Sequence, residues 1–268
     1  MKRILSLLMC LVLCFSILPA PAMAARDTSF EESLAVDLKE LGLFKGVSDT
    51  DFALGRAPTR VEALIMLIRM QGQEEEALNG SWSHPFVDVP SWADCYVGYA
   101  YENGLTNGVS KNRFGTSNAT AQMYLTFVLR GLGYSDQDGL DFTYSDPYTL
   151  SGQVGILPEG VDLKSFWRAD VVLVSYAALS ACLKNTVQSL ADKLIQEGVF
   201  TQTQFDTYYS DMDIIVMKNY LVHIYTMKFH TFFCSITENI NPAHMKIVTK
   251  TRDEMISMGY SPCEECNP

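Results

Sequence analysis

The sequence predicts a mainly α-helical chain, built from three helix–loop–helix units and closed by a small α+β module. Three observations carry this expectation. A glycine- and aspartate-rich stretch over residues 41–62, ending Pro58-Thr59-Arg60-Val61-Glu62, returns in degraded form over 104–122 and again over 155–170. Each copy leads into a run with apolar residues three and four apart, the spacing of a helix with one buried face. Beyond residue 214 the copies stop, and the tail holds three cysteines with one histidine in two close pairs.

The first helix is expected over 30–41, where Leu34, Leu38 and Leu41 share a side. It stops at Gly42, which can take the positive φ of a helix C-cap. In the loop that follows, Phe52 is the apolar plug. Thr59 and Glu62 then make a capping box, the hydroxyl accepting from a backbone N–H while the carboxylate reaches back to the cap. Val61, Leu64, Ile65 and Ile68 form the apolar face of the second helix. Arg60 lies off that face, so packing does not require it and it is available to a ligand. Residues 73–84, with Glu74-Glu75-Glu76, read as a solvated connector.

The second unit opens on Phe86-Val87-Asp88-Val89-Pro90-Ser91-Trp92-Ala93, and its first helix carries Trp92, Tyr96, Tyr99 and Ala100 along one side as far as Gly104. Trp92 is expected to anchor that helix and Asp88 to cap its start; alternatively, both face a groove, where an indole suits a sugar ring. The helix from Thr120 keeps the cap, but Ala121 stands in the arginine slot and Met123 in the glutamate slot. In the third unit thirteen positions separate Gly155 from Arg168, against eighteen between Gly42 and Arg60. Trp167 takes the cap position, where an indole cannot accept what a threonine hydroxyl accepts. Arg168 and Asp170 stay in register, and Val171, Val172, Val174 and Leu179 are the core residues. Residues 185–205, with Leu190, Leu194, Ile195 and a stop at Gly198, form a further helix that packs under the units or acts as a spacer.

This pattern of helix, glycine loop, Thr-Arg-x-Glu and helix resembles the S-layer homology domains of bacterial cell-surface proteins, as does the Phe-x-Asp-Val-Pro-x-x-Trp-Ala entry at residues 86–93. The resemblance covers roughly residues 30–182 and implies a pseudo-threefold bundle. Grooves between its units would bind an anionic secondary cell-wall polysaccharide, often one bearing a pyruvyl ketal. Arg60, Arg168, Trp92 and Asp88 are the residues it implies for that site. An arginine fork suits a carboxylate because it donates two parallel hydrogen bonds.

Lys2 and Arg3, an apolar run over 4–18 and Ala22-Met23-Ala24 make a secretory signal with a small-residue cleavage site, expected after Ala24. Removing Lys2 and Arg3 from the 20 basic residues leaves 18 against 31 acidic ones, about −13. Such a field repels nucleic acid. No second run spans a bilayer, since the apolar segment 214–233 is interrupted by Lys218, His223, Lys228 and His230. The organisation expected is a signal over 1–24, units over 25–83, 84–140 and 141–184, a helical spacer over 185–213 and a module over 214–268.

In the tail, His230 and Cys234 form one pair and Cys263 and Cys266 the other. Four nitrogen and sulfur donors match the ligand set of a structural Zn²⁺ site. The other reading is a Cys263–Cys266 disulfide, as exported thiols normally pair. The ending also resembles small zinc-binding modules that close some exported nucleases, which implies His230, Cys234, Cys263 and Cys266 as ligands. Cys95 and Cys182 read as buried small hydrophobes, His84 as exposed, and His223 and His244 as ordinary histidines. No Ser-His-Asp or Cys-His set stands in recognisable order, so the chain is expected not to be an enzyme.

The function expected is non-covalent attachment of an exported protein to the bacterial cell wall. The alternative is a secreted interaction module, in which the units are scaffold and the zinc-binding tail recognises a partner.

Overall fold

Helices that are apolar nearly all round need cover on every side, and three such helices set the architecture of the computed structural model. They are α2 (Arg60–Met70), α5 (Ala121–Gly131) and α7 (Arg168–Ala178), and all eleven residues of α7 are buried. The structure describes residues 26–209, 218–231, 234–266 and 268. The expected signal over 1–24 lies outside them, as do residues 210–217 around the expected start of the tail module. Among the described residues helices predominate over one small four-stranded sheet.

The three central helices pack on one another, and each is covered by an outer helix from a different unit. Helix α1 (Ser29–Glu40) lies on α7, α4 (Asp94–Glu102) on α2, and α6 (Tyr148–Val154) on α5. The outer helices stop at Gly42, Gly104 and Gly155, all with positive φ (79°, 71° and 80°), a conformation that costs glycine little. Phe52, Phe114 and Phe166 plug the loops and are buried.

Helix starts follow the sequence closely. Glu62 N–H donates to the Thr59 hydroxyl at 3.2 Å and Thr59 N–H to the Glu62 carboxylate at 2.7 Å. Thr120 accepts from Met123 N–H at 3.2 Å. Trp167 offers no hydroxyl, so only half of its box remains, Trp167 N–H donating to Asp170 at 2.6 Å. That carboxylate is fully buried, and Arg26 reaches it at 2.8 Å while also pairing with Glu31 and lying 6.0 Å from the Trp167 ring centre. The first residues after the expected cleavage site thus complete the third unit.

Several expectations change. Residues 73–84 are not a mere solvated connector: they contain α3 (Glu74–Asn79), and Glu74 gathers Lys45, Arg69 and Tyr96 from three elements. Its burial works against ionisation, but hydrogen bonds from Arg69, Lys45 and Tyr96 outweigh that and hold it at about 2. His84 is not exposed; its ring stacks on Phe86 and bonds Asp94 at 3.0 Å. Of the two readings of residues 185–205, packing under the units is the one observed: the segment forms α8 (Leu190–Gln196) and α9 (Gln202–Tyr208) in place of the one helix expected, and Leu190, Leu194 and Phe200 are buried in the same core as the units. Cys95 is half-buried on α4, and Cys182 lies outside the helices, in a bridge with Ser189.

The tail folds around its own small core of Tyr220, Val222, Phe229, Met255 and Tyr260. Strands β1 (Lys218–His223) and β2 (Lys228–His230) form a hairpin, β3 (Met245–Lys250) pairs antiparallel with β1, and β4 (Ser261–Pro262) runs parallel to β2 after α10 (Arg252–Ser257). The sheet order is β3-β1-β2-β4. No helix among the described residues is long and apolar enough to cross a membrane.

Two predictions follow from this packing. Arg26→Met strands the buried Asp170 carboxylate without its cation and is expected to cost about 3 kcal/mol in urea unfolding, whereas Arg26→Lys, which keeps a cation beside it, should cost less. Glu62, held at about 2 chiefly by Arg56, and Glu74 both ionise well below the ordinary 4.5. A carboxylate with a depressed folded pKa adds stability that is present above its unfolded pKa and lost as pH falls through the folded one. The urea midpoint should therefore drop as pH goes from 4.5 towards 2, and Glu74→Gln should flatten that slope.

Candidate ligand sockets and metal centre

A central helix begins with backbone N–H groups that no residue of the same helix can accept. Here neighbouring loops accept them. Arg60 N–H donates to Ser117 O at 2.8 Å, and Pro58 O receives Ala119 N–H at 2.8 Å. Arg168 N–H donates to Arg56 O at 2.9 Å, with Ala169 N–H to Leu54 O at 3.3 Å. The first unit's helix start is thus seated on the second unit's loop, and the third unit's on the first unit's loop. Each arginine side chain is delivered into the junction between two units.

The two junctions are built alike. The Arg60 guanidinium lies 4.9 Å from the ring centres of both Phe114 and Phe127. Arg168 lies 5.5 Å from the Phe44 ring and 3.9 Å from the Met66 sulfur. Phe127 and Met66 occupy the same place in the repeat, six residues past the arginine slot of the neighbouring unit. The same register that identified the arginines could have named these two partners.

What differs is satisfaction. Arg168 donates to Phe52 O at 2.7 Å through Nε and to Lys45 O at 3.3 Å through Nη2. Arg60 makes one side-chain hydrogen bond, from Nη2 to the Thr106 hydroxyl at 3.3 Å, and its Nε and Nη1 have no partner. No carboxylate pairs with either arginine among the described residues. Burial lowers both guanidinium pKa values, Arg168 to about 10; for Arg60 the half-exposed Tyr144 acts in the opposite direction. Tyr144 belongs to the turn that opens the third unit, and its carbonyl accepts from Gln122 Nε2 at 2.6 Å. Sequence reasoning missed Thr106 and Tyr144, since neither has a counterpart in the other copies.

The expectation that Arg60 stands clear of packing needs correction: it is 3% exposed, because the second unit's loop covers the helix face that a single-helix reading leaves open. Trp92 is not a core anchor. It is 60% exposed, while Ala93, Tyr96 and Tyr99 hold that helix in place. Asp88 caps no helix start. Its two oxygens accept from Phe114 N–H at 2.8 Å and Gly115 N–H at 3.1 Å, fastening the entry strand to the loop that covers Arg60. Burial opposes its ionisation, and these two amides outweigh that and keep its pKa low.

The tail brings His230, Cys234, Cys263 and Cys266 together, all buried, with one donor atom of each within 4.8 Å of the others. The hairpin supplies His230 at the end of β2, and β4 leads directly into Cys263, whose N–H donates to Phe229 O at 3.0 Å. Cys234 and Cys263 sulfurs lie 4.0 Å apart, close to the roughly 3.8 Å that tetrahedral thiolates around zinc would show. No disulfide links them. His230 Nδ1 is buried with no hydrogen-bond partner, and burial lowers that imidazole's pKa, favouring the neutral form that binds metals. Burial pushes Cys234 up to about 12 and raises Cys266, whereas in Cys263 the amides of Cys266 and Glu265 overcome burial and lower it. The cluster could hold a metal ion: its donors fit one, and burial makes Cys234 and Cys266 reluctant to ionise without a cation. A groove of about 630 Å³ lies beside it, with His230 and Cys263 in its wall and Lys228, Glu264 and Glu265 at its edge.

No family model matches the chain. It is 31% identical over 166 residues to a cell surface protein of Thermoanaerobacter kivui, a match covering 59% of this chain and 21% of that protein. It is 27% identical over 144 residues to a surface layer protein of Brevibacillus choshinensis, covering 50% and 13%. An endoglucanase from Bacillus sp. strain KSM-635 is 28% identical over 119 residues, covering 44% and 12%. The chain thus spans about a fifth or less of the relatives it matches. Their names support a secreted protein located at the cell wall or surface.

Proposed function

We propose that the helical part of the chain attaches it non-covalently to the bacterial cell wall by binding an anionic secondary cell-wall polysaccharide where the first and second units meet. On this reading the cyclic cover of central helices by outer ones is a divergent S-layer homology bundle with one competent groove. The observation that supports it is the unequal satisfaction of two equivalent arginines. Burying a guanidinium with two empty N–H groups costs free energy unless something outside the chain accepts them. A ligand carboxylate that takes the place of the Thr106 hydroxyl at Nη2 would form two parallel hydrogen bonds, with Nη2 and with one of the two unpartnered donors, Nε or Nη1. Exposed Trp92 offers an apolar face to a sugar ring, and Asp88 holds the covering loop in place. The acidic field of the chain is screened beyond about 8 Å at physiological ionic strength, so local geometry decides binding.

A second reading is favoured by the near-complete burial of Arg60 and by the groove beside the thiol cluster. In it the units are a scaffold, and the tail recognises a partner. Retention on isolated cell walls separates the two. Arg60→Met should leave the urea midpoint unchanged or raised, since it removes an unsatisfied cation, yet reduce wall retention at least tenfold. Arg168→Met leaves two carbonyls unpaired and should cost about 2–3 kcal/mol of stability, with retention lost only as far as the protein unfolds. Trp92→Ala should weaken retention without moving the midpoint. Equal retention of the wild-type chain, Arg60→Met and Trp92→Ala favours the second reading.

The tail cluster is proposed to hold one structural Zn²⁺. Four protein donors leave no coordination position for water, so its contribution is to folding. Metal analysis of the secreted chain should give one zinc per chain. A chelator should abolish the near-ultraviolet signal of the buried Tyr220 and Tyr260 while leaving tryptophan emission from the helical units intact.

A further inference from the structure

The metal reading explains why four donors converge but not why they are arranged unequally around the groove. Of the three cysteines, only Cys263 lines it, together with His230. All three are buried, Cys263 at 2%, Cys234 at 4% and Cys266 at 6% exposure, but neither Cys234 nor Cys266 lines that wall. The Cys234 sulfur stands 4.0 Å from that of Cys263, whereas the Cys266 sulfur accepts from Thr231 N–H at 3.5 Å. A small polar oxidant entering the groove therefore meets one thiolate first, and that thiolate already has a neighbour in contact.

We propose that the cluster is a peroxide-sensitive metal site in which Cys263 is the sulfur attacked and Cys234 the one that resolves it; this rests on the metal reading given above. The Cys263 thiolate attacks one peroxide oxygen, the O–O bond breaks, and the departing hydroxide takes a proton and leaves as water. Cys263 is then a sulfenic acid. The Cys234 thiolate attacks its sulfur, the S–O bond breaks, and a second hydroxide leaves as water with a second proton. Two thiolates lose two electrons, one peroxide gains them, and a disulfide with S–S of about 2 Å replaces the 4.0 Å contact. With two of its donors consumed, the site would no longer hold the metal. The product has a Cys234–Cys263 crosslink joining the end of the hairpin to the knuckle, and Cys266 is left as a thiol. The sequence alone points to a different pair, the adjacent Cys263 and Cys266.

The test uses the secreted chain in full. Its zinc content is measured first, then hydrogen peroxide is titrated in with a chromophoric zinc chelator present. Remaining thiols are alkylated and the product is digested with trypsin without reduction. The expected result is one zinc released per peroxide consumed, with the peptide over residues 229–246 crosslinked to that over 253–268 and the alkyl label on Cys266. Cys234→Ser should trap a dimedone-reactive Cys263, and Cys263→Ser should give no crosslink. A Cys263–Cys266 or Cys234–Cys266 cystine, or zinc retained through a tenfold excess of peroxide, overturns the proposal and leaves the metal reading standing. A purified chain that carries no zinc before peroxide is added removes the metal reading. The crosslink then decides the sulfur pairing by itself.

Discussion

The helical part depends on one constraint: the open N–H groups at the start of a buried helix must be accepted by something. A helix exposed to water meets this with solvent, but α2, α5 and α7 are covered on all sides. The starts of α2 and α7 are seated on loops of other units, through Arg60 N–H to Ser117 O and Arg168 N–H to Arg56 O. Once that is required, each unit needs a neighbour. The cover of α7 by α1, of α2 by α4 and of α5 by α6 belongs to the same solution.

Seating a helix start in a neighbour's loop also fixes where the first side chain of that helix goes. At residues 60 and 168 it is an arginine, and the same backbone arrangement yields two different junctions. In the third unit the fork is consumed by two carbonyls of the first unit's loop. For Arg60 the second unit's loop offers the Thr106 hydroxyl instead, which satisfies one donor and leaves two. The difference in hydrogen-bond satisfaction between the two arginines thus comes from the loops they enter and not from the helices that carry them.

The tail meets a different constraint. Its core of five large residues is small, and a domain of that size usually needs a metal or a crosslink to hold it. The donors sit where the hairpin, the segment after it and the last strand converge, so binding an ion there ties together parts of the chain distant in sequence. Burial makes Cys234 and Cys266 reluctant to ionise, so binding an ion there would be coupled to their charge.

Much was legible in the sequence because it depends on local rules. The glycine stops, the Thr59 capping box, the loop plugs and the apolar periods of α2, α5 and α7 are decided within a few residues, and so is the pairing of His230 with Cys234. Local rules also showed that Trp167 cannot cap a helix. They did not show that Arg26, far away in sequence, would meet the carboxylate left there. Nor could they show that Glu74 ties three elements together, that Trp92 faces outward, or that Arg60 is enclosed. A helical wheel ranks the faces of one helix against water, whereas burial at a junction depends on which loop of which unit arrives. The sequence by itself showed the central helices, their glycine-punctuated loops and the four clustered donors of the tail. Only the tertiary structure decided which arginine was left unsatisfied and which two sulfurs touch, because both follow from contacts between segments that no spacing rule connects.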